Sequence, residues 1–226
     1  RLLIKTEIFN QWIIENDPIS EYLKDAGVKF VADVKPYELA KIRLFNGVHS
    51  FLAYYGELHE IEYVADVIRI PADADYVKAM QEEEIIKTLN LDTDLYSYAK
   101  EIRNRMKNQS LKHRSRQIAM DGSQKLPQRI IGTINDLEAK NIQAERLLNV
   151  LNTWIKYLAT SNSINDPLAT NLSALAKSEN FAEIFAQLSA PLNQKALQLP
   201  WETGFAGQVF GYKDRLTSLQ IPFYQR

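Results

Sequence analysis

The chain has 226 residues, 46% of them hydrophobic and 24% charged, ordinary values for a globular protein able to bury a sizeable core. Its formal net charge is -1, with both signs mixed along the chain, which argues against bulk attraction to nucleic acid or to acidic membranes. Cysteine is absent, so disulfides, thiol nucleophiles and cysteine-bound zinc are excluded. The three histidines, His49, His59 and His113, lack the i, i+4 spacing of a helical zinc site, and no metal is expected. No apolar run approaches the roughly 20 residues of a membrane span. The start, Arg1-Leu-Leu-Ile-Lys5, has neither an initiator Met nor a signal-peptide pattern. The expectation is a fragment of a longer, cytoplasmic protein.

In chain order, residues 1–17 carry short apolar bursts broken by charge, which suit one or two strands near a domain edge. Apolar surface around Ile8, Phe9 and Trp12 should be partly uncovered. Asn16-Asp-Pro18 is a turn, residues 19–26 a short helix closed by Gly27, and residues 28–34 an extended segment. After Pro36 the pattern is helical throughout, with candidates at 37–57, 61–69, 72–90, 92–107, 124–140, 143–161, 167–177, 180–189, 192–199 and 202–219. Asp73 or Asp75 is the candidate cap of the third. Gln81-Glu-Glu-Glu84 reads as a solvated face. Tyr54, Tyr55, Tyr63 and Trp154 read as packing residues. No Gly-x-Gly-x-x-Gly or Walker pattern occurs, so the chain lacks a nucleotide-binding fingerprint.

Residues 36–55 stand out. Pro36 suits a first helical turn, and Leu39, Ile42, Leu44, Phe45, Val48, Phe51, Leu52 and Tyr55 are apolar nearly all round, as in a buried helix. The same stretch holds Glu38, Lys41, Asn46 and His49. At about 100° per residue these four fall on one broad face. There they must find partners or line a wet cavity. Further on, 121–127 (Asp-Gly-Ser-Gln-Lys-Leu-Pro) looks like a loop entering a helix, with Asp121 or Ser123 as cap and Pro127 in the first turn.

Lys41-x4-Asn46-x2-His49, together with the block from Lys112 to Arg129 that contains Gln117-Ile-Ala-Met-Asp-Gly-Ser-Gln-Lys125-Leu-Pro-Gln-Arg129, resembles the signature of the polyol-specific long-chain dehydrogenases. This is the mannitol dehydrogenase family, and the wording is closest to its fructuronate (mannonate) reductase branch. The resemblance implies an all-α, multi-helical C-terminal substrate domain of the 6-phosphogluconate-dehydrogenase-like type at 36–226. Residues 1–35 would be the end of an α/β nucleotide-binding domain and the crossover from it. It also implies NAD or NADP as cofactor, held mainly by an N-terminal Rossmann-type domain that this chain lacks, so that the chain alone should be inactive.

The resemblance implies roles as well. Lys41 corresponds to the family's catalytic lysine; burial would lower an amine pKa of about 10.4 and let the neutral amine take a proton. The alternative is a lysine that snorkels to the surface. Glu38 is either a local ion-pair partner of Lys41 or Arg43, or a relay towards solvent. Asn46 would hydrogen-bond the reacting oxygen and His49 would orient a neighbouring hydroxyl, unless the two satisfy each other in the core. Gly47 between them permits a close approach. Lys125, with Lys112, Arg114, Arg116 and Arg129 near it in sequence, would grip a polar or anionic substrate end. Where the mannitol-oxidising branch has a substrate-contacting arginine, this chain has Gln117, which favours a sugar acid over mannitol. The expected reaction interconverts fructuronate and mannonate. The rivals are another polyol–ketose pair and a non-catalytic helical interaction module.

Overall fold

The computed structural model describes Phe9, residues 11–18 and residues 20–188. Strand β1 (Ile13–Glu15) pairs in parallel with β2 (Lys29–Val31), Ile13 opposite Lys29 and Glu15 opposite Val31. Helix α1 (Ser20–Leu23) and a 3-10 turn, Lys24–Ala26, connect them, and Gly27 closes the turn at φ 74°, a conformation without penalty only for glycine. Parallel pairs normally bury both faces. Here Trp12, just before β1, is 46% exposed, so this edge carries uncovered apolar surface, as expected. Phe9 lies half-buried under the Arg105 guanidinium, 3.6 Å from its ring centre; Ile8 falls outside the described residues.

The rest is helical, in agreement with the expected all-α class. Helix α2 (Lys35–Lys41) begins with Pro36 in its first turn and runs through a π segment, Ile42–Gly47, into α3 (Val48–Leu58). Then come α4 (Val64–Val67) and α5 (Pro71–Ala79). Helix α5 continues through a second π segment, Met80–Glu84, into a 3-10 turn, Ile85–Thr88. Helix α6 (Leu95–Met106) is capped by the Asp94 carboxylate, and α7 (Ser115–Ile118) follows. Helix α8 (Gly122–Leu126) passes through a third π segment, Pro127–Ile131, into α9 (Gly132–Ala139). Helices α10 (Glu145–Thr160), α11 (Ala169–Lys177) and α12 (Phe181–Ala186) complete the described body. The candidates 192–199 and 202–219 lie outside it. Among the described residues no helix is long and apolar enough to cross a membrane.

The core is built by two stripes. Ala40, Leu44, Val48 and Leu52 recur every four residues along α2–α3 and are buried. The α3 part of this stripe packs against α10, whose Leu147, Val150, Leu151, Trp154, Ile155 and Leu158 recur every three or four and are also buried. Each such side chain stabilises the fold by about 1.5–3 kcal/mol on burial. Tyr54 and Trp154 sit in this core, while Tyr55 and Tyr63 are half-buried around it.

Three local expectations are corrected. Helix α5 takes Ile70 as its cap residue with no side-chain bond, because Pro71 already fills its first turn; Asp73 is buried inside that turn and Asp75 caps nothing. Residues 81–84 are not a solvated face. The Gln81 amide donates to Leu44 O (2.8 Å) and accepts from Arg103 Nη1 (2.8 Å). Glu82 pairs with Arg103, and buried Glu84 accepts from the Arg146 and Leu147 N–H groups at the start of α10. The partners are remote arginines and a helix terminus, which the local charge pattern does not reveal. Asp121 is the N-cap residue of α8, as expected, but neither its side chain nor that of Ser123 makes the capping bond. Asp121 is left-handed (φ 56°), and the Asp166 carboxylate takes the Ser123 N–H (2.8 Å) and hydroxyl (2.7 Å) instead. Pro127 is buried inside the continuous helical run, where it opens the π segment.

Candidate active site

The α2–α3 run positions the motif residues, and its π segment decides how. A π turn bonds i to i+5 and so inserts a residue, shifting the face that an ideal helix would present and freeing carbonyls from the regular ladder. Both features appear here. Lys41, before the insertion, is exposed; Asn46, within it, is half-buried; His49, after it, is 6% exposed. The Leu44 carbonyl is taken by Gln81. The Asn46 carbonyl accepts from Ser50 Oγ (3.2 Å) and lies 3.5 Å from Arg129 Nη1. Gly47 marks where the first and third π segments cross: a Cβ there would stand 3.2 Å from the Arg129 carbonyl. The close approach read from this glycine is therefore made by a backbone.

The exposure of Lys41 corrects the expectation that its own helix buries it. Glu38 is exposed too, and the two form no ion pair, so the ion-pair alternative for Glu38 is not realised with Lys41. Arg43, the other partner considered, is buried and reaches Asp136 at 2.6 Å.

His49 lies in a different environment. Phe45 packs edge-on against its ring at 4.8 Å, and the His113 ring stands 5.2 Å away at a 59° tilt. Its Nε2 has no hydrogen-bond partner. Burial, and then the positive charges of His113, Arg129 and Arg105, bring its pKa down to about 3. His49 is therefore a neutral imidazole near neutral pH, one nitrogen a donor and the other an acceptor. Such a ring can orient a hydroxyl. It is a poor general base, since the matching pKa lies far below working pH.

The second block converges on the same region through Arg129, whose Nη1 donates to Ser50 Oγ at 3.0 Å. Lys125, one turn earlier, is half-buried; its Nζ donates to Met120 O (2.6 Å) and lies 3.9 Å from the Asp121 carboxylate. Burial and the neighbouring Arg129 lower its pKa, opposed by Asp121 and Asp166. The N–H groups at the head of α8 are not all free for a substrate, because Asp166 takes that of Ser123. Gly122 seats this helix on the core, where a Cβ would stand 2.7 Å from the Tyr54 hydroxyl.

The structure thus gathers Asn46, His49 and Arg129, with Lys125 beside Arg129. Gln117, exposed on α7, makes no side-chain hydrogen bond to any of them. Arg114 and Arg116 turn to Glu62 and Ser163. Sequence reasoning passed over His113, which stood out only as the third histidine. It also passed over Asp166, whose Asn165-Asp-Pro167 setting read as a plain turn. For Asp166 the available signal was an Asx residue before proline, whose carboxylate also takes the Leu168 N–H (2.9 Å).

A dinucleotide would not fit the β1–α1–β2 unit. Its strand-to-helix turn, Asn16-Asp17-Pro18, has no glycine to admit a pyrophosphate, and the Asp17 N–H is taken by Ser20 Oγ (3.0 Å).

Comparison with known proteins agrees with this geometry. The profile of the mannitol dehydrogenase C-terminal domain matches residues 33–197. D-mannonate oxidoreductase of Escherichia coli is 37% identical over 221 residues, covering 91% of this chain and 44% of that protein. Mannitol 2-dehydrogenase of Phaeosphaeria nodorum is 32% identical over 197 residues, covering 79% and 34%. Among solved structures, Pseudomonas fluorescens mannitol 2-dehydrogenase, in ternary complex with NAD and D-mannitol, superposes with a TM-score of 0.72 at 25% identity, covering 90% of this chain and 46% of that one. The chain spans less than half the length of these relatives. It belongs to the mannitol dehydrogenase C-terminal domain family.

Proposed function

We propose that this chain is the substrate-binding half of an NAD(P)-dependent, metal-independent sugar-acid reductase that interconverts fructuronate and mannonate. Residues 1–35 would end the nucleotide-binding domain, and 36–226 would form the catalytic domain. The observation that carries the reading is the graded exposure along one helix: Lys41 open, Asn46 at the boundary, neutral His49 sealed behind it. The relation to D-mannonate oxidoreductase and the glutamine at position 117 favour a sugar acid.

In this mechanism NAD(P), bound mainly by an N-terminal domain, supplies the hydride chemistry. The chain's own residues manage the oxygen and the proton. Lys41 Nζ takes the hydroxyl proton during oxidation and returns it during reduction, desolvated by the N-terminal domain closing over it. The Asn46 side-chain amide donates to the oxygen as negative charge develops there. The His49 imidazole orients the adjacent hydroxyl, Lys125 holds the anionic end, and exposed Glu38 relays the proton from Lys41 to solvent.

The test is steady-state turnover by the full-length protein containing this chain, with NADH and NADPH, on fructuronate and on fructose. Preference for fructuronate in kcat/KM is expected. Preference for fructose would install the polyol–ketose rival, and turnover of neither would favour the non-catalytic module.

A further inference from the structure

Three arginines in the helical body hold carboxylates. Arg43 holds Asp136 at 2.6 Å, Arg103 holds Glu82 at 2.9 Å, and Arg146 holds Glu83 at 2.9 Å and Glu84 at 3.4 Å. Arg129 differs. It is half-buried, its contacts are the neutral Ser50 Oγ and Asn46 O, and no carboxylate among the described residues pairs with it. A partly desolvated guanidinium without an anion leaves much of its interaction energy unused.

The unmatched charge lies beside the one sealed imidazole of the site. His49 Nε2 is buried without a partner. The guanidinium groups of Arg129 and Arg105 both act on His49. His113 is held in place by its backbone, since its carbonyl accepts the Val64 N–H (3.0 Å) and the next residue, Arg114, bridges to Tyr63. Its ring is half-buried and 5.2 Å from that of His49, a separation that leaves both rings within reach of one small oxyanion.

We infer that His113 and Arg129 join Lys125 in the subsite that receives the carboxylate of the sugar-acid substrate. This rests on the reaction proposed above and adds two substrate-contacting residues to it. Arg129 offers the charged donor and His113 a second donor at the half-buried mouth, beside the neutral His49. A carboxylate completes the charge balance there; a neutral polyol has only hydroxyls to offer and gains less.

The experiment uses the full-length protein with His113→Asn, Arg129→Met and the double variant, folding being checked by circular dichroism. KM and kcat are measured on fructuronate and on fructose. Each single variant should raise KM for fructuronate by about tenfold or more, the size of a lost charge-assisted hydrogen bond. The rise for fructose should be clearly smaller. The double variant should lose less than the product of the singles, because both contact one ligand. Arg129 also ties two helices together, so a misfolded Arg129→Met leaves the decision to His113→Asn. Normal fructuronate turnover by the wild type with an unchanged KM in His113→Asn overturns the subsite alone, as does an equal rise in KM for both substrates. A wild type that does not turn over fructuronate overturns the subsite together with the proposed reaction.

Discussion

Lys41 and His49 belong to one helical run, yet they occupy opposite environments. The lysine stands at the surface. The histidine is sealed between Phe45 and His113 and held neutral by burial and surrounding positive charge. The difference divides the labour of proton chemistry. A group that must gain and lose a proton needs access to substrate and solvent, and a group that only orients an oxygen works best fixed in one protonation state. The intervening π segment separates the two. It is held open from outside its own helix, by Gln81 on one side and Arg129 on the other.

The comparison can be broken most directly at its open end. In the full-length protein, Lys41→Ala should lower turnover by roughly 100-fold or more, in line with general-base contributions of about 10²–10⁴. Its circular dichroism should be unchanged, because the side chain is exposed. A small primary amine in solution should restore part of the rate. A folded variant with near-normal turnover would return Lys41 to a surface lysine.

At the sealed end the expected effect is on pH dependence. The folded pKa of His49, about 3, lies below the ordinary histidine value of 6.5, so folding favours the neutral ring. The associated stability is fully present above about pH 6.5 and is lost as pH falls towards 3, while the unfolded chain takes up the proton. Between pH 6.5 and 5, before most carboxylates titrate, His49→Asn should flatten the fall of Tm with acid. Identical slopes in variant and wild type would show that His49 is not held neutral.

A smaller effect is expected from the brace between the two ends. Gln81→Leu leaves the Leu44 carbonyl and Arg103 each short of a partner. It should cost about 1–3 kcal/mol, measured by denaturant unfolding. Glu38→Ala on the open side should stay within about 0.5 kcal/mol of wild type. Equal costs for the two would remove the claim that Gln81 braces the π segment.

The smallest change is expected at Lys125, which touches the site through Arg129 and is already occupied by the Met120 carbonyl. Lys125→Ala should raise KM for fructuronate by about tenfold while moving kcat less, since it grips the ground state and the transition state alike. A fall in kcat with KM constant would move Lys125 into the reacting centre.

Much of the helix that carries the site was legible. Pro36 announced its start, the spacing of Leu44, Val48 and Leu52 its buried face, and Gly47 its close crossing. The π insertion was not legible, because it depends on donors for the freed carbonyls, and these arrive from Gln81 and Arg129 far along the chain. Gln81 to Glu84 misled for the same reason: a run of polar residues looks solvated until Arg103 and the head of α10 are brought against it. Asp166 read as part of a turn, although its carboxylate secures the helix that bears Lys125.

Local patterns determined by themselves the helical body after Pro36, the strand-like start before it, and the motif Lys41, Asn46 and His49 on one helix. These depend on residues within a few turns of each other, where side-chain period and backbone preference act. The tertiary structure alone decided that Lys41 is open, that His49 is neutral, that the Asp166 carboxylate rather than the side chain of Asp121 or Ser123 bonds the head of α8, and that no carboxylate among the described residues pairs with Arg129. Burial, proton affinity and charge pairing are set by atoms a few ångströms away, and in this chain those atoms come from residues tens of positions distant.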